Sequence, residues 1–593
     1  MAVEKLIVDH IDTWTTALQT RSTAGRGSSG KIDLYGIKKL RELILELAVR
    51  GKLVPQDPND EPASKLLARI AAEKAELVKQ GKIKKQKPLP EISEEEKPFE
   101  LPVGWEWTTL NTLAEINPKI DVSDDEQDIS FVPMPLISTK FDGSHDFEVR
   151  KWKEVKKGYT HFANGDIAIA KITPCFENSK AAIFSGLKNN VGVGTTELHV
   201  ARPYSQAVNQ QYLLLNFKSP GFLKTGESQM TGSAGQKRVP RNFFENYPLP
   251  FPPLQEQERI VNNFTQLMIL CDQLEQYSLS SLDAHQQLVE TLLTTLTDSQ
   301  NTVELAENWA RISEHFDTLF TTETSIDALK QTILQLAVMG KLVPQDPNDE
   351  PASELLKRIA QEKAQLVKDG KMKKQKPLPP ISDEEKPFEL PDGWEWCRLG
   401  ELALKSEAGW SPQCENTPRS GEQWGVLKIS AVTWGEYQPE ENKALPAHLS
   451  PREEFEVKEN DFLISRANTA ELVARSVVVP EKTPGNLMLS DKIIRFEFSS
   501  LVSAHYISLV NNSIFSREYY KEVAGGTSSS MKNVSRNQVS ELLIGLPGYN
   551  EQLKIVENIA KYIQICEALT SKIKSAQQTQ LHLADALTDA AIN

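Results

Sequence analysis

Gly51-Lys-Leu-Val-Pro-Gln-Asp-Pro-Asn-Asp-Glu-Pro-Ala-Ser64 occurs twice in this chain, because the same fourteen residues return without change as Gly340 to Ser353. The two copies lie 289 positions apart. Two further stretches recur at the same spacing, Lys84–Pro90 as Lys373–Pro379 and Lys97–Trp107 as Lys386–Trp396. A repeat of this length predicts that the chain contains two copies of one architecture.

Downstream, the likeness between the copies is reduced to a pattern, and the spacing changes to 295 positions. Gly165-Asp-Ile-Ala-Ile-Ala-Lys171 corresponds to Asn460-Asp-Phe-Leu-Ile-Ser-Arg466, and Pro252–Val261 corresponds to Pro547–Val556. Each copy therefore has a near-identical opening, a divergent middle of the size of a small domain, and a patterned tail. If the halves fold alike, we expect them to pack about a pseudo-two-fold axis, as like units in closed assemblies generally do.

The tail of each copy has the apolar spacing of a coiled-coil helix. Apolar residues recur at alternating steps of three and four, which is the heptad pattern of such a seam. The predicted seam comprises Ile260, Phe264, Leu267, Leu274, Leu288 and Leu292 in the first copy and Ile555, Ile559, Tyr562, Leu569, Ile573, Leu583 and Leu587 in the second. A helix over residues 255–297 would be about 65 Å long at about 1.5 Å per residue. We therefore predict two long helices, one from each copy, that pack against each other and act as a spacer.

The remaining segments predict a mixed α+β fold. Residues 40–48 follow helical spacing, and a second helix is expected from about Ser64 to Gln80. The middles contain short alternating runs such as Ile167–Ala170 and Ile493–Phe498, which indicate strands. The predicted regions are a helical opening (1–107), a first globular domain (108–253), a central region with the long helix and the second opening (254–396), a second globular domain (397–548) and a terminal helix (549–593).

The composition restricts the class of protein. No apolar run is as long as a bilayer span, and the first ten residues contain acids where a signal peptide needs an apolar stretch. We therefore expect a cytoplasmic protein with no membrane contact. The five cysteines are scattered without CxxC spacing, which favours free thiols over a zinc site or disulfides. The net charge of -14 argues against nucleic acid as a partner, unless the charge is unevenly distributed.

A search for catalytic motifs finds none that would make this chain an enzyme. The sequence contains no GxxxxGK phosphate loop, no dinucleotide fingerprint and no HExxH zinc motif. It also lacks the Asn/Asp-Pro-Pro-aromatic run of amino-methyltransferases and the GxSxG turn of hydrolases. We therefore predict no catalytic residues, no metal and no cofactor in this chain. A nuclease built on Asp, Glu and Lys stays open, because its motif is loose.

The middles differ in charge from the rest of the chain. The sequence from Lys171 to Arg241 contains nine basic and three acidic residues. The sequence from Arg466 to Arg536 contains nine basic and six acidic residues. This local excess of positive charge suits phosphate binding, although its small size predicts that a partner supplies much of the phosphate contact.

Two corresponding loops and two corresponding strand ends carry the candidate DNA contacts. The loops at residues 231–241 and 525–536 combine glycine, hydroxyls, amides and cations, which can approach phosphates and pair with purine edges. A polar surface turn is the alternative for either loop alone. The candidates are Lys171, Asn178, Lys180, Thr231, Ser233, Gln236, Lys237, Arg238 and Arg241 in the first middle, and Arg466, Asn468, Arg475, Thr527, Ser528, Ser529, Ser530, Lys532, Asn533 and Arg536 in the second.

The combination of repeated flanks, divergent middles and patterned helix starts resembles the specificity subunits of type I restriction-modification systems. The resemblance rests on Gly165-Asp-Ile, on Glu256-Gln257 and Glu551-Gln552, and on the Pro252–Val261 run, and it extends over the whole chain. The long openings resemble the branch of that family with extended N-terminal repeats. Pro547-Gly-Tyr-Asn departs from the Pro-Pro-Leu-Gln of the first copy, which puts the geometry at the start of the second helix in doubt.

The resemblance implies two target-recognition domains separated by paired antiparallel helices. Each domain would read one half of a bipartite, asymmetric site in double-stranded DNA, and the helix length would set the gap. Two methyltransferase subunits carrying S-adenosylmethionine would dock on the helices, and restriction subunits would add ATP- and Mg-dependent translocation and cleavage. The main alternative is a structural adaptor that bridges two protein partners.

Overall fold

The computed structural model describes residues 3–21, 31–84, 91–233, 235–433, 435–528 and 531–592. These residues form two compact units. The first unit contains the described residues up to Ser280 together with residues 577–592, and the second contains residues 281–576. The chain therefore returns to the first unit for its last sixteen described residues.

The first unit combines helices with short strands, as the sequence predicts. Its helices are α1 (Val3–Asp9), α2 (Ile11–Thr16), α3 (Tyr35–Val49), α4 (Ala63–Lys79), α5 (Leu110–Leu113), α6 (Trp152–Val155), α7 (Gln210–Lys218), α8 (Pro220–Ser228), α9 (Arg241–Asn246) and the start of α10 (Leu254–Asp298). Its strands are β1 (Gln19–Arg21), β2 (Lys31–Asp33), β3 (Glu106–Thr109), β4 (Ala114–Ile116), β5 (Asp128–Val132), β6 (Glu148–Lys151), β7 (Thr160–Ala163), β8 (Ile167–Ala170), β9 (Ala181–Ile183), β10 (Val191–Gly194), β11 (Leu198–Pro203) and β12 (Pro248–Phe251).

The second unit repeats this succession with changes in the middle. Its helices are α11 (Thr302–Glu314), α12 (Phe316–Leu319), α13 (Glu323–Val338), α14 (Ala352–Lys368), α15 (Leu399–Leu402), α16 (Ala504–Asn512), α17 (Ile514–Val523), α18 (Arg536–Ser540) and the start of α19 (Tyr549–Ile592). Its strands are β13 (Glu395–Arg398), β14 (Ala403–Ala408), β15 (Gly425–Leu427), β16 (Asn442–Ala444), β17 (Phe462–Ser465), β18 (Ala467–Asn468), β19 (Ser476–Val478), β20 (Leu487–Met488), β21 (Ile493–Phe498), β22 (Gly525–Ser528), β23 (Met531–Asn533) and β24 (Leu543–Leu546).

One sheet has the same topology in both units. Its strand order is β4-β11-β8-β9 in the first unit and β14-β21-β17-β19 in the second, and all pairs are antiparallel. Strands β8 and β17 are buried along their whole length, because each lies in the sheet interior between two neighbours. The apolar runs that predicted these strands therefore form the shared core.

The sheets beside this shared element differ between the units. The first unit has a four-stranded sheet of order β6-β5-β10-β7, in which β10 pairs with β5 in parallel. The second unit has two three-stranded sheets, β16-β15-β20 and β18-β23-β22. These differences lie in the divergent middles of the sequence, so the two domains present different surfaces on one common frame.

A two-stranded ribbon closes the base of each middle domain. Strand β3 pairs antiparallel with β12, with Thr109 opposite Pro248 and Glu106 opposite Phe251. In the second unit β13 pairs with β24 in the same way. The strand that leads into each domain thus lies beside the strand that leads out of it.

In each unit the helix of the opening packs against both long helices. In the first unit Arg41 on α3 forms ion pairs with Asp272 and Glu275 of α10 at 2.6 Å each, and the hydroxyl of Tyr35 donates to Asp585 of α19 at 2.7 Å. In the second unit Leu329 of α13 shares one apolar cluster with residues of α10 and α19. Each opening therefore contacts a segment of α10 and a segment of α19.

The two long helices have the lengths predicted from the sequence, but their buried face differs from the predicted seam. Ile260, Phe264, Leu267, Ile555 and Ile559 are buried as predicted. Partial burial is found for Leu274, Leu292, Leu569, Ile573 and Leu587. In contrast, Leu288, Tyr562 and Leu583 are 51%, 39% and 43% exposed.

The register difference has a geometric cause. In the second half of each helix the next residue takes the buried position, Val289 in place of Leu288 and Ala584 in place of Leu583. A straight α-helix drifts by about 20° per heptad against a strict seven-residue repeat, so four heptads amount to nearly one residue. Tyr562 has a different cause, since it lines an open apolar groove together with Trp309 and Leu569.

Within the described ranges, no helix has the length and apolar character needed to cross a membrane. The same residues bring together no group of three or more His, Cys, Asp or Glu side chains that could bind a metal ion. All five cysteines are free thiols.

Candidate nucleic-acid interface

The basic residues that end strands β8 and β17 occupy equivalent positions. The backbone N–H of Lys171 donates to the carbonyl of Glu197 at 2.9 Å, and its carbonyl accepts from Val239 at 2.8 Å. Arg466 makes the same two bonds, with Lys492 at 2.8 Å and with Val534 at 2.9 Å. Each cation therefore stands where the core sheet meets the segment that follows the candidate loop.

The candidate loop of the first domain lies against the turn that follows β8. Residues 231–233 and 235–238 belong to a hairpin in which Thr231 and Arg238 exchange backbone hydrogen bonds of 3.0 and 2.8 Å. The carbonyl of Lys237 accepts from the backbone N–H of Thr173 at 3.0 Å, and Ile172 bridges to Arg238. Gly232 has a φ of 127°, and a Cβ there would lie 2.8 Å from the carbonyl oxygen of Gln236, so this hairpin requires glycine.

The second domain builds the same contact as a small sheet. Strand β23 pairs with β22 on one side and with β18 on the other, so that Lys532 lies opposite Asn468. Gly526, equivalent to Gly232, has a φ of 129°. Thr527 and Ser528 belong to β22, whereas Ser529 and Ser530 lie outside the described residues. Both units thus bring the predicted loop and the predicted strand end together.

In the first domain some of the predicted DNA-binding cations already have protein partners. Arg238 forms two hydrogen bonds of 2.8 Å with the carboxylate of Glu197, and this pairing holds the pKa of Glu197 below its usual value. The amine of Lys180 donates to the carbonyl of Met134 at 2.8 Å, and Arg241 pairs with Glu245. Arg238 and Lys180 therefore hold the loops in place, because each bonds to an oxygen atom of a residue that is distant in sequence.

The remaining candidates of the first domain are directed toward solvent. Thr231, Ser233, Gln236 and Lys237 are all exposed, as is Asn178. They form a polar surface with hydroxyl and amide donors and one positive charge. That set of groups suits contacts to phosphate oxygens and base edges.

The second domain leaves more positive charge accessible. Arg466 is exposed and has no carboxylate within 4.0 Å among the residues that the structure describes. Arg536 is also exposed and donates to the carbonyl of Ser406 at 3.0 Å. Asn533 is exposed, whereas Asn468 donates to the hydroxyl of Thr433 at 3.2 Å and Lys532 donates to the carbonyl of Gly526 at 3.1 Å. Asn468 and Lys532 therefore help to hold the small sheet.

Two aspartates that directly precede the core strands were not singled out by the sequence reasoning. Asp166 of the Gly-Asp-Ile stretch is almost fully buried and accepts two hydrogen bonds from Arg202, at 2.9 and 2.7 Å. Burial raises the pKa of Asp166, although the bonds from Arg202 oppose this change. Asp461, its counterpart, accepts from Arg495 at 2.9 Å. The Asp of this pattern thus anchors the core strand to a neighbouring strand.

Comparison with known proteins assigns the family. A family model described as a type I restriction modification DNA specificity domain matches residues 102–283. The EcoEI specificity subunit of a type I restriction enzyme from Escherichia coli is 69% identical over 595 residues, covering 100% of both chains. The chain belongs to the type I restriction enzyme specificity subunits. The EcoAI specificity subunit of Escherichia coli is likewise 69% identical, over 601 residues and 100% of both chains.

Solved structures similar to this specificity subunit come from the same systems at low identity. A chain from a study of complex assembly and conformational transition of the type I R-M system is 16% identical, with 84% of this chain and 99% of that chain covered and a TM-score of 0.46. The HsdS subunit from Thermoanaerobacter tengcongensis is 16% identical, with 84% and 98% covered and a TM-score of 0.44.

The family assignment confirms two predictions from the sequence. The chain is a specificity subunit, and it is a non-catalytic component of a type I restriction-modification system. The paired residues Glu256-Gln257 and Glu551-Gln552, quoted for the resemblance, have a structural role in this specificity subunit. Burial raises the pKa of both glutamates, and a glutamine at 3.1 or 3.3 Å donates to each of them.

Proposed function

We propose that the two middle domains, residues 108–253 and 397–548, are target-recognition domains, each of which reads one half of a bipartite, asymmetric site in double-stranded DNA. The observation that carries the proposal is the repeated arrangement of a basic strand end beside a glycine-containing polar loop. It occurs at equivalent places in both units, as the backbone bonds of Lys171 and Arg466 illustrate. The side chains around it differ, which suits two different half-sites.

The long helices support the rest of the proposal. Helix α10 has 45 residues and α19 has 44, so each is about 67 Å long at about 1.5 Å per residue. Half-sites on one face of DNA lie about 34 to 36 Å apart, which helices of this length can span. We infer that the two helices pair antiparallel, set the gap between half-sites, and dock two methyltransferase subunits against the near-identical openings.

The chemistry would then belong to the partners. Methyltransferase subunits would bind S-adenosylmethionine and methylate adenine, and restriction subunits would use ATP and Mg. Such a complex works on chromosomal DNA, so we place this chain in the cytoplasm.

The decisive experiment is co-expression of this chain with its methyltransferase subunit, followed by sequencing of DNA methylation at single-base resolution. We expect a bipartite motif with a fixed gap that disappears when this chain is omitted. Replacing Ser233, Gln236 and Lys237 by alanine should relax one half of the motif and leave the other half unchanged. Methylation that is absent, or that does not depend on this chain, would favour the adaptor function instead.

A second experiment separates reading from spacing. Deletion of one heptad from each long helix should change the gap of the methylated motif and leave both half-site sequences intact. Altered half-sites with an unchanged gap would contradict the spacer function of the helices.

A further inference from the structure

The turn that leads into β21 presents an exposed aspartate beside a strand-end cation. The backbone N–H of Ile493 closes this turn by donating to the carbonyl of Ser490 at 3.1 Å. Asp491 and Lys492 stand at the tip of the turn, and both are exposed. The carbonyl of Lys492 accepts from the backbone N–H of Arg466 at 2.8 Å. The turn therefore belongs to the same surface as the predicted DNA contacts of the second domain.

The side chain of Asp491 is oriented by the hydroxyl of Ser411. That hydroxyl donates to Oδ1 of Asp491, and its oxygen accepts from the backbone N–H of Asp491 at 3.1 Å. Oδ2 accepts no hydrogen bond from any residue that the structure describes. Ser411 is exposed as well, so the two side chains meet at the surface. One carboxylate oxygen is thus fixed, and the other is open to a donor from outside the protein.

The segment that carries Ser411 is itself held in place. The backbone N–H of Trp410 donates to the carbonyl of Leu489 at 2.9 Å. A Cβ on Gly409 would lie 1.9 Å from the carbonyl oxygen of Leu489, so only glycine allows the two segments to approach this closely. The guanidinium of Arg452 lies 4.3 Å from the ring centre of Trp410 on the other side of the segment's chain. The position of Ser411 is therefore determined by the fold.

The carboxylate stands among cations without pairing to one of them. Arg466 and Lys492 are exposed next to it, and Arg475, whose backbone N–H donates to the hydroxyl of Ser465 at 3.0 Å, is half-buried. Among the described residues, Asp491 forms no ion pair within 4.0 Å. On a surface that faces DNA, an unpaired carboxylate repels phosphates unless it accepts a hydrogen bond from a base.

The first domain has no acid at the corresponding place. Its counterpart of Asp491 is Thr196, which directly precedes Glu197, the residue whose carbonyl accepts from Lys171. Thr196 is exposed and uncharged. The neighbouring Glu197 already pairs with Arg238 at 2.8 Å. An unpaired carboxylate at this turn is therefore particular to the second domain, as a residue that reads its own half-site should be.

We propose that Asp491 reads a cytosine of the second half-site by accepting a hydrogen bond from the exocyclic N4 amino group in the major groove, with Ser411 as its positioning residue. The inference rests on the proposed function and deepens it, because it names one base that the second domain selects. Carboxylates accept from cytosine N4, whereas guanine O6 and thymine O4 are acceptors that would repel Asp491. Adenine also has an amino group, but its N7 places a further acceptor beside it.

The test uses the complete complex of this chain with its methyltransferase subunit. The methylated motif is mapped at single-base resolution for wild type, Asp491→Asn and Ser411→Ala. The second half-site is the one that the alanine variant at Ser233, Gln236 and Lys237 leaves unchanged. Dissociation constants are then measured for duplexes that carry each of the four base pairs at the position altered by Asp491→Asn.

The wild-type complex should require a C·G pair at one position of the second half-site. Asp491→Asn should lower the preference for cytosine over adenine at that position by at least about fivefold, because an amide can bond to N6 and N7 of adenine. The gap, the first half-site and the other positions should stay the same. Ser411→Ala keeps the carboxylate but not its orientation, so the same preference should fall by a smaller factor.

Glu481→Gln is the matched control, since it also neutralises an exposed acid of the second domain. Glu481 follows β19, and Val478 of that strand pairs with Phe462, the residue of β17 farthest from Arg466. The control variant should leave every position of the motif unchanged.

Three outcomes would overturn the inference. Tighter or weaker binding of Asp491→Asn by the same factor on all four duplexes would mean that the carboxylate acts on phosphates or on the fold and reads no base. An unchanged motif in Asp491→Asn, or an altered position that is not C·G in the wild-type motif, would also refute it while the proposed function stands. A wild-type complex that methylates no bipartite motif would overturn the proposed function and this inference together.

Discussion

The Oε1 atom of Gln257 accepts a hydrogen bond from the backbone N–H of Asn209 at 3.0 Å. This bond joins the first turn of α10 to the residue that caps the N-terminus of α7. Its Nε2 donates to the carbonyl of Pro252 at 2.9 Å. Gln552 forms the equivalent two bonds at the start of α19. Both side chains are fully buried, so the two bonds fix each middle domain to its long helix.

Replacing Gln257 by glutamate should destabilise the first unit. The substitution puts an acceptor opposite the carbonyl of Pro252 and buries a carboxyl group, and an unsatisfied buried group costs about 1 to 3 kcal/mol. We expect a lower midpoint of thermal unfolding, measured by calorimetry. Gln273→Glu, on an exposed position of the same helix, should change the stability by less than about 0.5 kcal/mol. Equal effects of the two variants would contradict the role of Gln257.

The buried register of α10 is tested by two neighbouring leucine substitutions. Leu293 is 3% exposed and belongs to the core of the second unit, so Leu293→Ala should reduce the free energy of unfolding by about 2 to 5 kcal/mol. Leu288 is 51% exposed, and Leu288→Ala should cost less than about 0.5 kcal/mol. Denaturant titration of both variants distinguishes the observed face from the seam that heptad counting predicts. A larger loss of unfolding free energy for Leu288→Ala than for Leu293→Ala would instead support the predicted seam.

Lys218 should make the stability of the first unit depend on alkaline pH. Burial lowers its pKa from 10.5 to about 7, although the charge of Asp142 opposes this. Below about pH 7 the amine is charged in both states, and the folded state bears the full cost of the buried charge. Between about 7 and 10.5 the folded state releases the proton and the unfolded state retains it, so stability rises with pH. Each pH unit in this window adds up to about 1.4 kcal/mol to the free energy of unfolding.

The measurement compares wild type with Lys218→Met, which has no titrating amine. From pH 7 to 10 the unfolding free energy of wild type should rise relative to that of Lys218→Met. Lys224→Met, at an exposed position of α8, serves as the control and should show no such trend. A constant difference between wild type and Lys218→Met across this range would show that Lys218 does not titrate there.

The ion pair of Arg238 with Glu197 should restrict the candidate loop of the first domain. Glu197→Gln removes the charge that holds the guanidinium, and we expect tryptic cleavage after Lys237 to become several-fold faster. The pair is partly exposed, so its loss should change global stability little. Glu227→Gln, at an exposed position of the same domain, is the control. Unaltered cleavage in both variants would show that the pair does not hold the loop.

The features that depend on local periodicity or on the repeat could be predicted from the sequence. Residues 167–170 and 493–498 form strands as expected, and α10 begins and ends within one residue of the predicted bounds. The candidate loops and strand ends also meet, as their parallel positions in both copies indicated. Such features are specified by neighbouring residues, so a pattern in one sequence is sufficient to find them.

The partners of individual cations could not be predicted, because they depend on distant atoms. Arg238 and Lys180 are chemically suited to DNA, yet Glu197 lies 41 positions from the first and Met134 lies 46 positions from the second. The shifted seam was missed because small angular drift accumulates only over several turns.

The ribbon of β3 with β12, and that of β13 with β24, bears on how such a protein can change its target. Because each recognition domain begins and ends on adjacent strands, a gene segment encoding the residues between them can be exchanged as one cassette. The flanks outside these ribbons are near-identical in the two copies, so both domains are attached to the same surroundings. Under the proposed function, replacing that segment would change the half-site that the domain reads while the flanks of the subunit stay the same.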